Sequence, residues 1–237
     1  MKHFTITLSI LLTYFSLWAQ NYSEDFESYE PFSRIAEQSE NWRCWNHEYD
    51  KAKDAFVSDA EAHSGNNSLY LFSSRANGGP TDVVLDFGEA YASGEMEIEF
   101  WMFVKKESGG YFNFQGTHQD GKATALQCYL YGDSLFLDDM STFYRTSFSS
   151  SEWHKINYQI DLTKGQWTMN IDDQEVASFT KTGINNSIAG IDFYPVNDDP
   201  SNNNSAYWVD DVTWSFTPYT FPTTNFAIVD ADFRGGR

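Results

Sequence analysis

From Tyr111 to Gln115 the side chains alternate without a break: Phe112 and Phe114 are apolar, while Tyr111, Asn113 and Gln115 carry a phenol and two amides. Successive side chains leave a pleated strand on opposite sides, so this period of two describes a strand with one packed face and one face free to touch something. Similar short runs recur at 22–27, 68–72, 82–87, 95–104, 125–131, 135–137, 154–161, 167–171, 175–179, 188–194 and 207–216. Gly, Asn, Asp and Ser punctuate them, as in Asn77-Gly78-Gly79-Pro80, Ser108-Gly109-Gly110 and Thr163-Lys164-Gly165. About a dozen strands bounded by turn residues predict two antiparallel sheets packed face to face. The best helical rival, 50–62, contains Ala52, Ala55 and Ala60 but no continuous apolar stripe, and reads as a loop leading into a short strand.

The start of the chain bears on where the protein works. Met1-Lys2-His3 is a short basic opening, Phe4 to Trp18 is mostly apolar, and Ala19 before Gln20 offers a cleavage point. This is the layout of a secretory signal peptide, and the apolar stretch is too short and too interrupted by Thr and Ser to span a bilayer. Without it, 14 basic residues face 34 acidic ones, a net charge of −20. Nucleic acid and anionic membrane surfaces need clustered positive charge, so neither is expected as a partner. Cys44 and Cys128 are the only cysteines; their spacing permits a disulfide in an oxidising exterior and equally permits two buried thiols.

The domain reading is a signal peptide over 1–19, one sandwich over 20–217, and a linker with the start of a further domain over 218–237. Pro218 to Pro222 looks like the linker, and Phe226 to Phe233 reads as a strand that stops at once, as in the front part of a longer protein. The stretch from Asn197 to Ser205 is a long polar loop.

Five segments resemble a known group when taken in order. They are Glu24-Asp25-Phe26-Glu27-Ser28-Tyr29, Trp42-Arg43-Cys44-Trp45, Asp54-Ala55-Phe56-Val57-Ser58, His63-Ser64-Gly65-Asn66-Asn67-Ser68-Leu69 and Trp208-Val209-Asp210-Asp211-Val212. The chain is similar to the jelly-roll modules near the N-terminus of secreted flavobacterial proteins, related in layout to MAM, laminin-G-like and carbohydrate-binding-module sandwiches. The resemblance implies an all-β jelly-roll sandwich of concanavalin A-like type, appended to other extracellular modules and often exported by the type IX route. It also implies a structural calcium tying the opening strand to the closing one, which by position draws on Glu27 and Asp211, with Asp25 as a third candidate.

Strand parity places the binding candidates. If Phe112 and Phe114 point inward, Tyr111, Asn113 and Gln115 share the outer face; if Leu126, Cys128 and Leu130 pack, then Gln127, Tyr129 and Tyr131 look out. Aromatic rings cover the C–H face of a pyranose and amides read its hydroxyls, so this surface suits extracellular glycan. Trp45, in a loop-like stretch with Trp42, Arg43 and His47, joins the ligand candidates, while Trp42 is expected to pack in the core. The expected function is therefore a secreted, non-catalytic recognition or adhesion module at the cell surface or beyond.

Two other classes stay open. In Glu95-Met96-Glu97-Ile98-Glu99 the three carboxylates fall on one face, loosely similar to the catalytic strand of sandwich-fold glucanases, with Glu97 where those enzymes carry Asp. A lyase set can be assembled from Gln115, His118, Tyr144 and Arg145. A structural or protein-interaction spacer, flat and without a groove, is the third reading. No serine-hydrolase elbow, phosphate loop or dinucleotide fingerprint occurs in the sequence.

Overall fold

The computed structural model describes residues 19–182, 186–199 and 201–220. The leader expected over 1–19 falls outside these apart from Ala19, as does the strand expected after the linker. Among the described residues, the chain forms two antiparallel sheets. The eight-stranded sheet runs β3 (Phe56–Ser58), β4 (Ser68–Ser73), β15 (Ser205–Thr217), β6 (Glu95–Val104), β11 (Trp153–Asp161), β12 (Gln166–Ile171) and β13 (Gln174–Thr180), with β1 (Gln20–Glu24) beside the last part of β15. The seven-stranded sheet runs β2 (Trp42–Cys44), β5 (Val83–Tyr91), β14 (Ile188–Phe193), β7 (Gly110–Gln115), β8 (Thr124–Tyr131), β9 (Ser134–Asp138) and β10 (Phe143–Ser147). One helical turn, α1 (Ile35–Gln38), and a 3-10 turn at Trp45–His47 fill the connection between β1 and β3.

Each sheet buries the apolar half of its alternation against the other. Phe100 of β6 meets Phe112 of β7 edge to face, with ring centroids 5.1 Å apart at 90°, and Tyr158 of β11 meets Phe114 at 4.8 Å and 82°. Both arrangements suit the ring quadrupoles, which disfavour direct face-to-face stacking. Burying one such ring removes it from water at a gain of about 1.5–3 kcal/mol, and the inner faces of the two sheets repeat that gain. Trp42 lies in this core between Phe26 and Phe193, as its residue type implied. Cys44 and Cys128 are both buried and unpaired; the Cys128 Sγ lies 3.0 Å from the Tyr158 hydroxyl.

A bulge in β15 ties the strand ends together. The register with β6 slips between Asp210 and Thr213, and Asp211 adopts a left-handed φ of 47°. An extra residue re-aims its neighbours. Asp210 accepts from the N–H groups of His63 and Ser64, and Asp211 accepts from Ser64 Oγ at 2.7 Å and meets His63 Nδ1 at 2.6 Å. Glu27 holds the other end of the same turn, accepting from the Asn66 and Asn67 N–H groups at 2.8 and 2.6 Å. Gly65 makes this possible: its φ is +55°, and a Cβ there would sit 2.4 Å from the Glu27 carboxyl carbon.

Candidate functional site

The six residues expected to touch ligand gather on the outward face of the seven-stranded sheet. Tyr111 lies opposite Tyr129 and Asn113 opposite Gln127 across the β7–β8 pair, while Phe112, Phe114, Leu126 and Cys128 point into the core. Trp45 reaches the same face from the 3-10 turn, its indole edge lying over Gly121. Gly121 N–H in turn donates to Gln115 Oε1 at 2.9 Å.

Parity therefore places the residues as expected, but much of the face is closed. Asn113 is 4% exposed, Gln115 2% and Tyr111 8%. Their polar atoms are turned on one another: Gln115 Nε2 donates to Asn113 Oδ1, and Asn113 Nδ2 donates to Asp192 Oδ2 at 2.6 Å. Two loops far apart in sequence are bolted over this end. Arg43 grips Asp120 through two nitrogens at 2.8 and 2.7 Å and Asp86 through a third at 2.9 Å, and Asn46 N–H also donates to Asp120. A bidentate guanidinium–carboxylate pair in a half-buried site is a strong tether. Asn113 and Gln115 thus build the floor of this face and Trp45 its wall, and more of the surface is open around β8 and β9.

That open edge has an order of its own. Arg145 of β10 stands opposite Phe136 of β9, Phe136 opposite Tyr129 of β8, and Tyr129 opposite Tyr111 of β7. Three rings thus line up across three neighbouring strands with a guanidinium at the outer end, 5.3 Å from the Phe136 ring. Both tyrosine hydroxyls donate to Gln127 Oε1, at 2.8 Å from Tyr111 and 3.1 Å from Tyr129, which holds the rings in place. Tyr131 stacks on Phe136 at 4.6 Å and 18°. Phe136 was missed in the sequence because the run at 135–137 is too short to show which of its positions is outward.

At the closed end two carboxyl groups face each other. Asp82 and Asp192 each have a buried oxygen, Oδ1, with no protein partner. Burial, more than mutual repulsion, raises the Asp192 carboxyl well above its usual range, and burial likewise pushes Asp82 up to about 6. Two such groups retain a proton between them in mildly acidic solution.

Of the two catalytic sets, the carboxylate row holds together and the lyase set does not. Glu95, Glu97 and Glu99 do share one face, on the other sheet, where Asn157 Nδ2 bridges Glu97 and Glu99 above a shallow depression. The lyase set is divided: Tyr144 packs toward the core against Phe179, while Arg145 on the same strand faces out. A serine, histidine and aspartate also line up at Ser149, His154 and Asp172, with separations of 3.2 and 2.6 Å. His154 Nε2 lies 3.0 Å from the Ser149 carbonyl and 3.7 Å from Glu152 Oε1 as well, so the hydroxyl is one of several neighbours of that nitrogen.

Of the expected calcium ligands, Glu27 and Asp211 hold opposite ends of the turn from His63 to Asn67. Asp25 turns back to accept from Glu27 N–H at 3.1 Å. The backbone donors of Asn66 and Asn67 hold the Glu27 carboxyl below its usual range.

No family model matches the chain, and no curated protein matches it. Solved structures do share its shape. A sialidase superposes with a TM-score of 0.60 at 12% identity over 83% of this chain, which spans 18% of the sialidase's length. The cellulose-induced protein Cip1 superposes with a TM-score of 0.55 at 14% identity, over 85% of this chain and 100% of Cip1. At such identities the likeness speaks for fold alone. With the two sheets described above, it makes this chain a jelly-roll β-sandwich of the kind that those proteins contain.

Proposed function

We propose that the protein is a secreted, non-catalytic recognition module that binds extracellular glycan at the open edge of the seven-stranded sheet. The pair Tyr129 and Phe136 carries this reading: two partly exposed rings in direct register on neighbouring strands, about 5 Å apart, offer successive apolar surfaces to a chain of sugars, with the buried Tyr111 ring behind them. Gln127 supplies an amide at the same edge, and Arg145 a cation. Asn113, Gln115 and Trp45 act behind this row by fixing β7 and the loop that walls it. Secretion rests on the leader-like sequence at the start of the chain.

Structural calcium belongs to the same proposal. Glu27 and Asp211 would hold it at the turn with oxygens of the backbone and solvent, since among the described residues no three Asp, Glu, His or Cys side chains cluster there. The ion would supply positive charge between two carboxylates that otherwise repel.

Affinity electrophoresis against a panel of soluble polysaccharides tests the function. Retardation by at least one polymer is expected, weakened about three- to ten-fold in Tyr129→Ala and in Phe136→Ala. Free migration through every polymer would refute it.

A further inference from the structure

The outer face of the eight-stranded sheet carries a longer aromatic row. Phe56 of β3 stands opposite Tyr70 of β4, and Tyr70 opposite Trp208 of β15. Trp208 in turn stands opposite Phe103 of β6, and Phe103 opposite Trp153 of β11. Five rings on five adjacent strands make one line, about 19 Å long at the usual strand spacing. Ring centroids are 4.6 Å apart for Tyr70 and Trp208, 5.7 Å for Trp208 and Phe103, and 5.6 Å for Phe103 and Trp153. Most of this row floors a groove of about 790 Å³. Phe32 at its rim is 73% exposed and Phe72 beside Tyr70 is 48% exposed. Contiguous apolar surface on this scale marks an interaction site.

Charge distinguishes the occupant. The chain holds 34 acidic residues against 15 basic ones, yet the groove is lined by Lys105 and Lys106 with Glu61 as its one carboxylate. Arg34 extends the cationic rim, its guanidinium 3.4 Å over the Phe56 ring. Arg34 donates to the Asp54 carbonyl, but its buried Nε has no partner. Among the described residues, none of these three cations stands in an ion pair. On the same face Glu95, Glu97 and Asp161 lie in a separate depression nearer the other ends of β6 and β11, and Glu99 between the two stands beside Lys155 at 3.9 Å.

We propose that this groove is a second binding site, for an anionic polysaccharide. Pyranose faces would stack on Phe56, Tyr70 and Phe103, which flank the buried Trp208 ring in the groove, and carboxylate or sulfate groups would meet Lys105, Lys106 and Arg34. A row repeating at strand intervals suits a repeating ligand, and unpaired cations on an otherwise acidic protein select for negative charge. This site is independent of the row on the opposite sheet.

The test uses the full chain and three soluble polymers of one backbone: neutral, carboxylated and sulfated. The unaltered protein is expected to bind a charged polymer about five-fold or more tighter than the neutral one, since each exposed ion pair adds modestly. That preference should shrink between about 0.02 and about 0.5 M salt as the charges are screened. Lys105→Glu with Lys106→Glu should erase the preference without changing the melting temperature. Phe56→Ala and Phe103→Ala should weaken binding of the charged polymers, while Tyr129→Ala leaves it in place. Which polymer wins tells carboxylate from sulfate. The inference is overturned if the charge-reversed protein keeps its preference. It also falls if only Tyr129→Ala abolishes binding, an outcome that leaves the glycan reading on the other sheet standing. A third overturning result is light scattering that shows a dimer dispersed by Phe56→Ala, which would make the face a self-contact.

Discussion

Replacing Asp192 by asparagine preserves the shape of a buried side chain while removing one of two carboxyls that oppose each other. In the folded protein burial holds Asp82 near 6 against an ordinary 3.8 and raises Asp192 too, so the native state binds protons that the unfolded chain has released. Stability from this pair is therefore greatest below about pH 4 and is lost as pH rises through about 6. For Asp82 this loss, about two pH units at 1.36 kcal/mol each, comes from burial and persists in the variant, whereas the loss at Asp192 is removed with its carboxyl. In Asp192→Asn the new amide can still accept from Asn113 Nδ2, now 2.6 Å from Asp192 Oδ2, and can donate to Asp82, giving the orphaned oxygen there a partner. Urea unfolding followed by tryptophan fluorescence should show the variant more stable near pH 7.5 by about the net worth of one hydrogen bond to a charged group, roughly 1.5–3 kcal/mol, with no advantage near pH 4. Other carboxyls titrate in both proteins and cancel in the difference. A variant that is less stable near pH 7.5 and declines with pH as steeply as the parent would show that the two groups do not repel across this gap, and the reasoning would be wrong.

Other outcomes follow from separate features. Gly65→Ala should cost about 2–3 kcal/mol in thermal or urea unfolding, because it strains a left-handed residue and drives a methyl into the Glu27 carboxylate. Ellman's reagent should find no reactive thiol in the native protein and two after unfolding, since both cysteines are buried and burial pushes Cys128 up to about 12. Chelation should lower the melting temperature by about 5–10 °C if calcium is bound well above its dissociation constant, and Glu27→Gln should abolish that difference. Glu95→Gln should leave polysaccharide retention unchanged, because the depression at Glu95 is remote from both aromatic rows in register.

How far the sequence could be read depended on where the determining contacts lie. The run 95–104 coincides with β6 to the residue, because the alternation from Glu95 to Phe100 sets a period that the apolar stretch to Val104 continues. Strands β2 and β10 escaped notice: one is three residues long, and the other is an edge strand whose Phe143 is exposed. Such strands are defined by a neighbour more than by their own pattern. Facing was legible at Tyr111, Asn113 and Gln115, whereas closure was not, because it depends on Arg43 meeting Asp120 across 77 positions. The five-ring row shows the same limit. Alternation in 95–104 is enough to turn Trp101 and Phe103 outward, but only inter-strand register puts Tyr70 beside Trp208.

The antiparallel pairing of β1 with β15 sets Gln20 directly across from Phe216, so the polypeptide enters and leaves the sandwich at one corner. Tension transmitted through the chain would act on this pair as on a zipper, opening its rungs one after another from Gln20 toward Glu24 instead of shearing them together. The first barrier to extension is then the stack of Tyr22 on Trp214 and the Trp42 Nε1 bond to the Tyr22 hydroxyl. One aromatic row lies on the other sheet and the second meets β15 only at Trp208, far along the strand from Phe216, so a module tethered at this corner would give slack under load before it let go of whatever it holds.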